Sequence, residues 1–259
     1  MKYGSAEVRI FPSLDALGAA AATDAARIIS EAVQKQGRAR IIVATGNSQL
    51  ELIGELVEIP CVPWESVEVF HLDEYIGMPG THPSSFRLWI KRRIEDRVHP
   101  GTIQYMRGDA PDLDAEIERY SALLNQAPLD LAFVGFGENG HIAFNDPHVA
   151  DFADPLTVKR VAIDDASQRQ QAGEGHFDSP ELVPRDALTV TCSALMRASA
   201  WICTVPELRK AEAVRNALQG PIATTCPSSI VRTHPNATVY LDTASASLLD
   251  GRAVGNSGA

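Results

Sequence analysis

An α/β fold organised around a mainly parallel sheet is what this sequence predicts. Three observations carry the prediction. Short apolar runs alternate with longer amphipathic ones, as repeated strand–helix units require. No internal repeat or low-complexity linker breaks the alternation. At 259 residues and 45% hydrophobic content, the chain is able to bury roughly three quarters of its unfolded surface, so neither disulfide nor metal is needed for stability.

Taken from the N-terminus, the first element is a long alanine-rich helix from about Leu14 to Gln36, with Ala21, Ala25, Ile28 and Ala32 on one stripe. Strands are predicted over Ile41–Ala44 and Val67–Phe70, both β-branched or aromatic and almost wholly apolar. Phe86, Trp89, Ile90 and Ile94 then share one helical face, and Leu113, Ile117, Tyr120 and Leu124 share another. Further strands are read at Leu131–Val134, Leu188–Val190, Trp201–Thr204 and Thr238–Leu241. The stretch of about 164–185 is polar, contains Gly173 and Gly175, and is too long for a simple connection; it reads as an active-site lid or a surface excursion. One domain over 1–250 is expected, with a disordered tail at 251–259.

Charge narrows the partners. Lys and Arg total 23 against 33 Asp and Glu, a formal charge of −10. Such a surface repels nucleic acid and anionic membrane, so an anionic ligand must be held by a local nest of donors. No apolar run reaches the roughly 18–20 residues of a membrane span. Met1–Ile10 carries Lys2, Glu7 and Arg9 and lacks a signal-peptide core. Cys61, Cys192, Cys203 and Cys226 form no CxxC pair and read as reduced thiols of a cytoplasmic protein, with no metal site.

In an open parallel sheet, ligands bind beyond the carboxyl ends of the strands. Three such ends carry chemistry here. After the first core strand, Thr45-Gly46-Asn47-Ser48 places donors at a helix start, which suits either a phosphate or a plain helix cap. After the second, Asp73 and Glu74 are adjacent carboxylates: one suits a helix cap, the other a general base. Two solvated loop acids is the plainer alternative. After the third, Gly135, Gly137 and Gly140 flank His141, with Asp146 five residues beyond; this pair suits proton transfer. No second βα unit or ribose-binding acid supports a nicotinamide cofactor, and no cofactor is expected.

At this point the motifs look familiar. Asp73-Glu74-Tyr75 with His82-Pro83-Ser84-Ser85-Phe86, and Gly135 to Pro147 reading GFGENGHIAFNDP, resemble the glucosamine-6-phosphate deaminase/isomerase family. Thr45-Gly46-Asn47-Ser48 is similar to that family's phosphate loop, and Lys210-Ala211 to its later phosphate contact. The resemblance runs from about Ile41 to Leu241. It implies a single Rossmann-like domain with helices on both faces, and an amino-sugar 6-phosphate as substrate. It implies that Asp73 moves the proton from C2 to C1, that His141 opens the sugar ring with Asp146 in support, and that Gly46, Ser48 and Lys210 hold the phosphate. Arg169 is a further lid contact on this reading. Homo-oligomers are frequent in the family, so one is an expectation here.

The chain also departs from the family pattern. Asn139 stands where the family has an acid, and Asp146 where it has a glutamate. An amide cannot accept a proton. The stretch His148-Val149-Ala150-Asp151-Phe152 lacks the Ser/Arg-rich segment of allosteric members, and the loop Gly46-Asn47-Ser48 lacks the paired glycines common in true deaminases. Three alternatives stay open: a 6-phosphogluconolactonase-type hydrolase, an isomerase without amine loss, and a non-catalytic sugar-phosphate sensor. Tyr75 and Ile142-Ala143-Phe144 differ from the D-E-R and T-A-S that lactonases carry.

Overall fold

The computed structural model describes residues 1–250; the expectation made for 251–259 lies outside the described residues. In chain order the elements are β1 (Lys2–Tyr3), β2 (Ala6–Phe11), α1 (Leu14–Gln36), β3 (Ala39–Val43), α2 (Leu50–Glu58), β4 (Val67–His71), β5 (Asp73–Tyr75), α3 (Phe86–Ile90), α4 (Asp96–Val98), β6 (Thr102–Gln104), α5 (Leu113–Asn125), β7 (Leu131–Val134), β8 (Val158–Ala162), α6 (Asp165–Gly173), β9 (Asp186–Val190), α7 (Cys192–Leu195), β10 (Trp201–Val205), α8 (Ala211–Gln219) and β11 (Ala237–Asp242).

The main sheet has eight strands in the order β1-β2-β11-β10-β7-β3-β4-β6. Only β1 runs antiparallel to its neighbour; the remaining pairs are parallel. Every residue of β3, β7 and β10 is buried, as expected of central strands covered on both faces. One face carries α1 and α2, whose Leu17, Ala21, Ala25, Ile29, Leu52 and Leu56 join a core with Trp89 and Ile90 of α3. The other face carries Tyr120 and Leu124 of α5 and Val214, Ala217 and Leu218 of α8. This is the Rossmann-like arrangement with helices on both faces.

Local sequence explains the long first helix. Ser13 accepts from the Ala16 amide at 3.2 Å, and Gly37 ends the helix at φ 78. The small alanines between let α1 lie close to the sheet and α2; a Cβ on Gly18 would stand 2.6 Å from the Cβ of Glu51.

Two readings need correction. Leu188–Val190 does lie in a strand, but that strand belongs to a second sheet, β5-β9-β8, paired antiparallel throughout. Periodicity tells a strand from a helix and says nothing of its partner. Strand β2 also escaped notice, although Ala6, Val8 and Ile10 alternate with Glu7 and Arg9. Among the described residues, no helix is long and apolar enough to cross a membrane. All four cysteines are free; Cys192 and Cys203 are buried, while Cys61 is exposed.

Candidate active site

The chain leaves β3 toward β4 and β6 on one side, then returns to place β7, β10 and β11 on the other. The order therefore reverses between β3 and β7, and the loops after these two strands part company there. Crevices of this origin are where open α/β sheets bind ligands. A cleft of about 550 Å³, open to solvent, sits at this point. Its lining includes Thr45, Gly46, Asn47 and Ser48 from the loop after β3, and Asp73 from β5. Gly135, Gly137 and His141 come from the loop after β7, and Lys210 from the turn before α8. The residues expected from three separate strand ends thus share one cavity.

Glycine is required where the two loops meet. A Cβ on Gly135 would approach Ser48 Oγ to 2.8 Å, and one on Gly137 would fall 2.1 Å from His141 Cε1. The imidazole lies directly against the Gly137 backbone.

Adjacent Asp73 and Glu74 take different roles, because successive residues of a strand face opposite ways. The Glu74 carboxylate accepts from Ser85 Oγ at 2.6 Å and from the amides of Tyr75, Phe86 and Arg87 at 3.0, 3.3 and 3.1 Å. It closes the start of α3, with Arg87 as its ion-pair partner at 3.4 Å. Asp73 faces the cleft, beside the aromatic walls of Phe86 and Phe144. Burial, reinforced by the charge of Glu74, pushes the Asp73 carboxyl well above the ordinary carboxylate range.

His141 is 7% exposed and held from one side. Its Nδ1 lies 2.8 Å from Asn139 Oδ1, 2.9 Å from Ser167 Oγ and 3.1 Å from Asp146 Oδ1. Ser167 gives its own hydrogen to Asp146 at 2.5 Å, and Asn139 Nδ2 gives to Asp146 and Asp164, both at 3.0 Å. The Asn139 amide is thereby oriented with its oxygen toward His141, so Nδ1 faces acceptors and carries the ring hydrogen. Nε2 is left with its lone pair free to exchange a proton. Burial opposes the charge on Asp146, yet His141, Asn139 and Ser167 outweigh it and hold its carboxyl down at about 2.

Lys210, also in the cleft lining, is 3% exposed. Asn47 Nδ2 donates to the Glu174 carbonyl at 3.1 Å, and Thr204 Oγ1 donates to the Ser48 carbonyl at 2.8 Å, fixing the loop after β3. The 164–185 stretch is no loose excursion. It forms α6 and a short turn at Pro180–Leu182, and Gln170, Gln171 and Glu174 join the cleft lining. Tyr75 Oη bonds Gln171 Oε1 at 2.8 Å, which ties the segment to the strand that bears Asp73.

Arg169 is a correction. It is exposed on α6 and does not line the cleft, because its neighbours Gln168, Gln170 and Gln171 occupy the inner face of that helix. Asn139 and Asp146 are not part of the lining either; they stand behind His141. Sequence reading missed Ser167 and Asp164. The signal was Asp164 three residues before Ser167, since Asp164 Oδ1 caps α6 by accepting from the Ser167 amide at 2.7 Å. Asp146, His148 and Asp164 bring one ligand atom each within 4.8 Å of one another, but Asp146 and Asp164 already accept the bonds just described.

Comparison with known proteins shows the family and the fold. A family model described as glucosamine-6-phosphate isomerases/6-phosphogluconolactonase matches residues 12–240. A glucosamine-6-phosphate deaminase of Bacillus cytotoxicus is 31% identical over 222 residues, covering 86% of this chain and 82% of that one. Its counterpart in Exiguobacterium sibiricum is 34% identical over 211 residues, covering 82% and 81%. Among solved structures, a monomeric glucosamine-6-phosphate deaminase matches with a TM-score of 0.85 at 26% identity, covering 94% of this chain and 100% of the other. A 6-phosphogluconolactonase of Trypanosoma brucei shares the fold, with a TM-score of 0.76 at 16% identity over 95% and 99% of the two chains. By the span of the family match and the identity to these deaminases, the chain belongs to the glucosamine-6-phosphate isomerase/6-phosphogluconolactonase family.

Proposed function

We propose that this protein is an enzyme that converts glucosamine 6-phosphate and water to fructose 6-phosphate and ammonia. The observation that carries the proposal is the meeting of Asp73 and His141 in one cleft that Lys210 and the Thr45–Ser48 loop also line. Phosphate bound by Lys210, Ser48 and the amides of that loop anchors the substrate away from the reacting carbons, and this remote binding serves orientation. His141 Nε2 takes the hydrogen of the O1 hydroxyl and delivers it to the ring oxygen as the C1–O5 bond breaks, leaving an open-chain aldehyde. Asp73 then removes the C2 hydrogen; the electron pair forms the C1–C2 double bond, and the C1 oxygen gains a proton from the C2 ammonium, which becomes the amine of an enolamine. Return of the proton from Asp73 to C1 leaves an iminium at C2. Water adds there and ammonia departs, which balances the reaction. Residues 164–185 serve as the lid on this reading, within a domain of 1–250, and the reaction needs no cofactor.

Asp73 acts as base only when ionised, whereas its surroundings favour the neutral acid. A substrate bearing an ammonium at C2 brings the cation that draws the carboxylate into its charged form.

The test is a panel of glucosamine 6-phosphate, its galacto epimer, 6-phosphogluconolactone and unphosphorylated glucosamine, followed for ammonium, ketose and acid. Ammonium and ketose 6-phosphate in equal amounts from the first substrate are expected. Acid from the lactone without ammonium release favours the hydrolase, ketose formation without ammonium favours a plain isomerase, and binding without product favours a sensor.

A further inference from the structure

Lys210 and Arg209 do not offer a vacant pair of cations to the cleft, because an internal carboxylate already lies on them. Glu174 Oε1 is 2.7 Å from Arg209 Nη1 and 3.5 Å from Lys210 Nζ, and its side chain is 4% exposed. Its other oxygen lies 3.6 Å from His176 Nε2, and Gln170 Nε2 donates to Oε1 at 2.8 Å. Arg209 is shared further, with Glu207 at 2.6 Å and Glu138 at 3.4 Å. Lys210 pairs with Glu174 alone among the described residues. So the cation best placed to meet a phosphate is matched by a carboxylate at the end of α6.

Gly173 precedes Glu174 and Gly175, at φ +83, follows it; a Cβ at either position would meet nothing within 4 Å. Neither glycine is demanded by packing, and the left-handed turn at Gly175 resists other side chains. The Glu174 carbonyl accepts from Asn47 of the loop after β3, which joins this end of the lid to the proposed phosphate seat.

We propose that Glu174 determines which anions the seat accepts, by acting as an internal anion that an incoming ligand must displace. The inference rests on the reading of Lys210 as the phosphate contact. A dianion such as a phosphate monoester brings one more negative charge than the carboxylate it displaces, and it accepts through three oxygens. A monoanion brings no more charge than Glu174 and gains nothing from the exchange. The seat therefore rejects carboxylates and neutral sugars while admitting phosphates. Removal of one like charge from a buried site of this kind strengthens anion binding by about tenfold or more.

The experiment measures dissociation constants for inorganic phosphate, sulfate and formate by calorimetry on the full chain, its Glu174→Gln and Glu174→Ala variants, and Lys210→Ala. Both Glu174 variants are expected to bind phosphate and sulfate about tenfold more tightly and to acquire formate binding, while Lys210→Ala loses phosphate affinity. If the Glu174 variants bind phosphate no more tightly, or more weakly, while Lys210→Ala still loses it, Glu174 organises the cations instead and the inference is overturned. If Lys210→Ala binds phosphate as the unaltered chain does, the phosphate reading of the seat fails, and the inference with it.

Discussion

Asn139 holds His141 at two atoms: its Oδ1 accepts from the His141 amide at 3.0 Å and lies 2.8 Å from the ring Nδ1. The same side chain gives its two amide hydrogens to Asp146 and Asp164. The resemblance implies an acid at this position, where this chain has an amide. Asp164 supplies a second carboxylate beside Asp146, so an acid at 139 would be a third with nothing to donate.

Asn139→Asp is therefore expected to lower stability at pH 7 by about 1–3 kcal/mol, the range for a buried group stripped of its donor. The introduced carboxyl has its pKa raised by its neighbours, so the loss shrinks as pH falls and that acid becomes neutral. Adding Asp164→Asn should recover most of the loss, because an amide at 164 restores a donor and is still able to cap α6. Thermal unfolding of the single and double variants at pH 7 and pH 5 measures this. Equal stability of all variants would contradict the account.

On the proposed mechanism, Asp146 acts through His141. Asp146→Asn removes the charge that fixes the ring hydrogen on Nδ1, and turnover is expected to fall by about 10²–10³-fold with KM changed little. The Asp146 carboxyl titrates at about 2 when folded, below its ordinary 3.8. Its contribution to stability is thus complete above the ordinary value and disappears as pH falls from about 4 toward 2. The stability gap between the original chain and Asp146→Asn should close over that interval. Denaturant unfolding at stepped pH values provides the check.

The acidic limb of kcat/KM should lie above the ordinary carboxylate range, because burial and the Glu74 charge raise Asp73 in the free enzyme. Activity falls as pH drops through the raised value, since the base must be ionised. Glu74→Gln takes away one like charge and should move the limb to lower pH without abolishing it, burial being the larger cause. A limb near pH 4 in the unaltered chain, or no movement in the variant, would contradict the assignment.

Much of this was legible from residues alone. The apolar runs at Ile41, Val67, Leu131, Trp201 and Thr238 located five strands of the main sheet, and the residues after three of them located the cleft. The paired acids at 73 and 74 resolved into a base candidate and a helix cap through the twofold alternation of a strand. What escaped depends on tertiary placement. Ser167 reaches His141, and Glu174 reaches the cleft, only through the placement of α6, and Glu174 belongs to no recognisable motif. Arg169 was expected as a lid contact from the resemblance, yet helical phase turns it to solvent and turns Gln170 and Gln171 inward.

The most direct test of the central claim is kcat for ammonium release from glucosamine 6-phosphate by Asp73→Asn. Asparagine keeps the shape of the aspartate but cannot take the C2 hydrogen, so kcat should fall by at least about 10³-fold. Inorganic phosphate should bind within about twofold of the original affinity, since Lys210 and the Thr45–Ser48 loop, not Asp73, form its proposed seat. The melting temperature should stay level or rise at pH 7, because an acid whose folded pKa is raised opposes folding once pH exceeds that of the unfolded chain. A variant that folds and retains kcat within about tenfold of the original would show that some other group moves the proton.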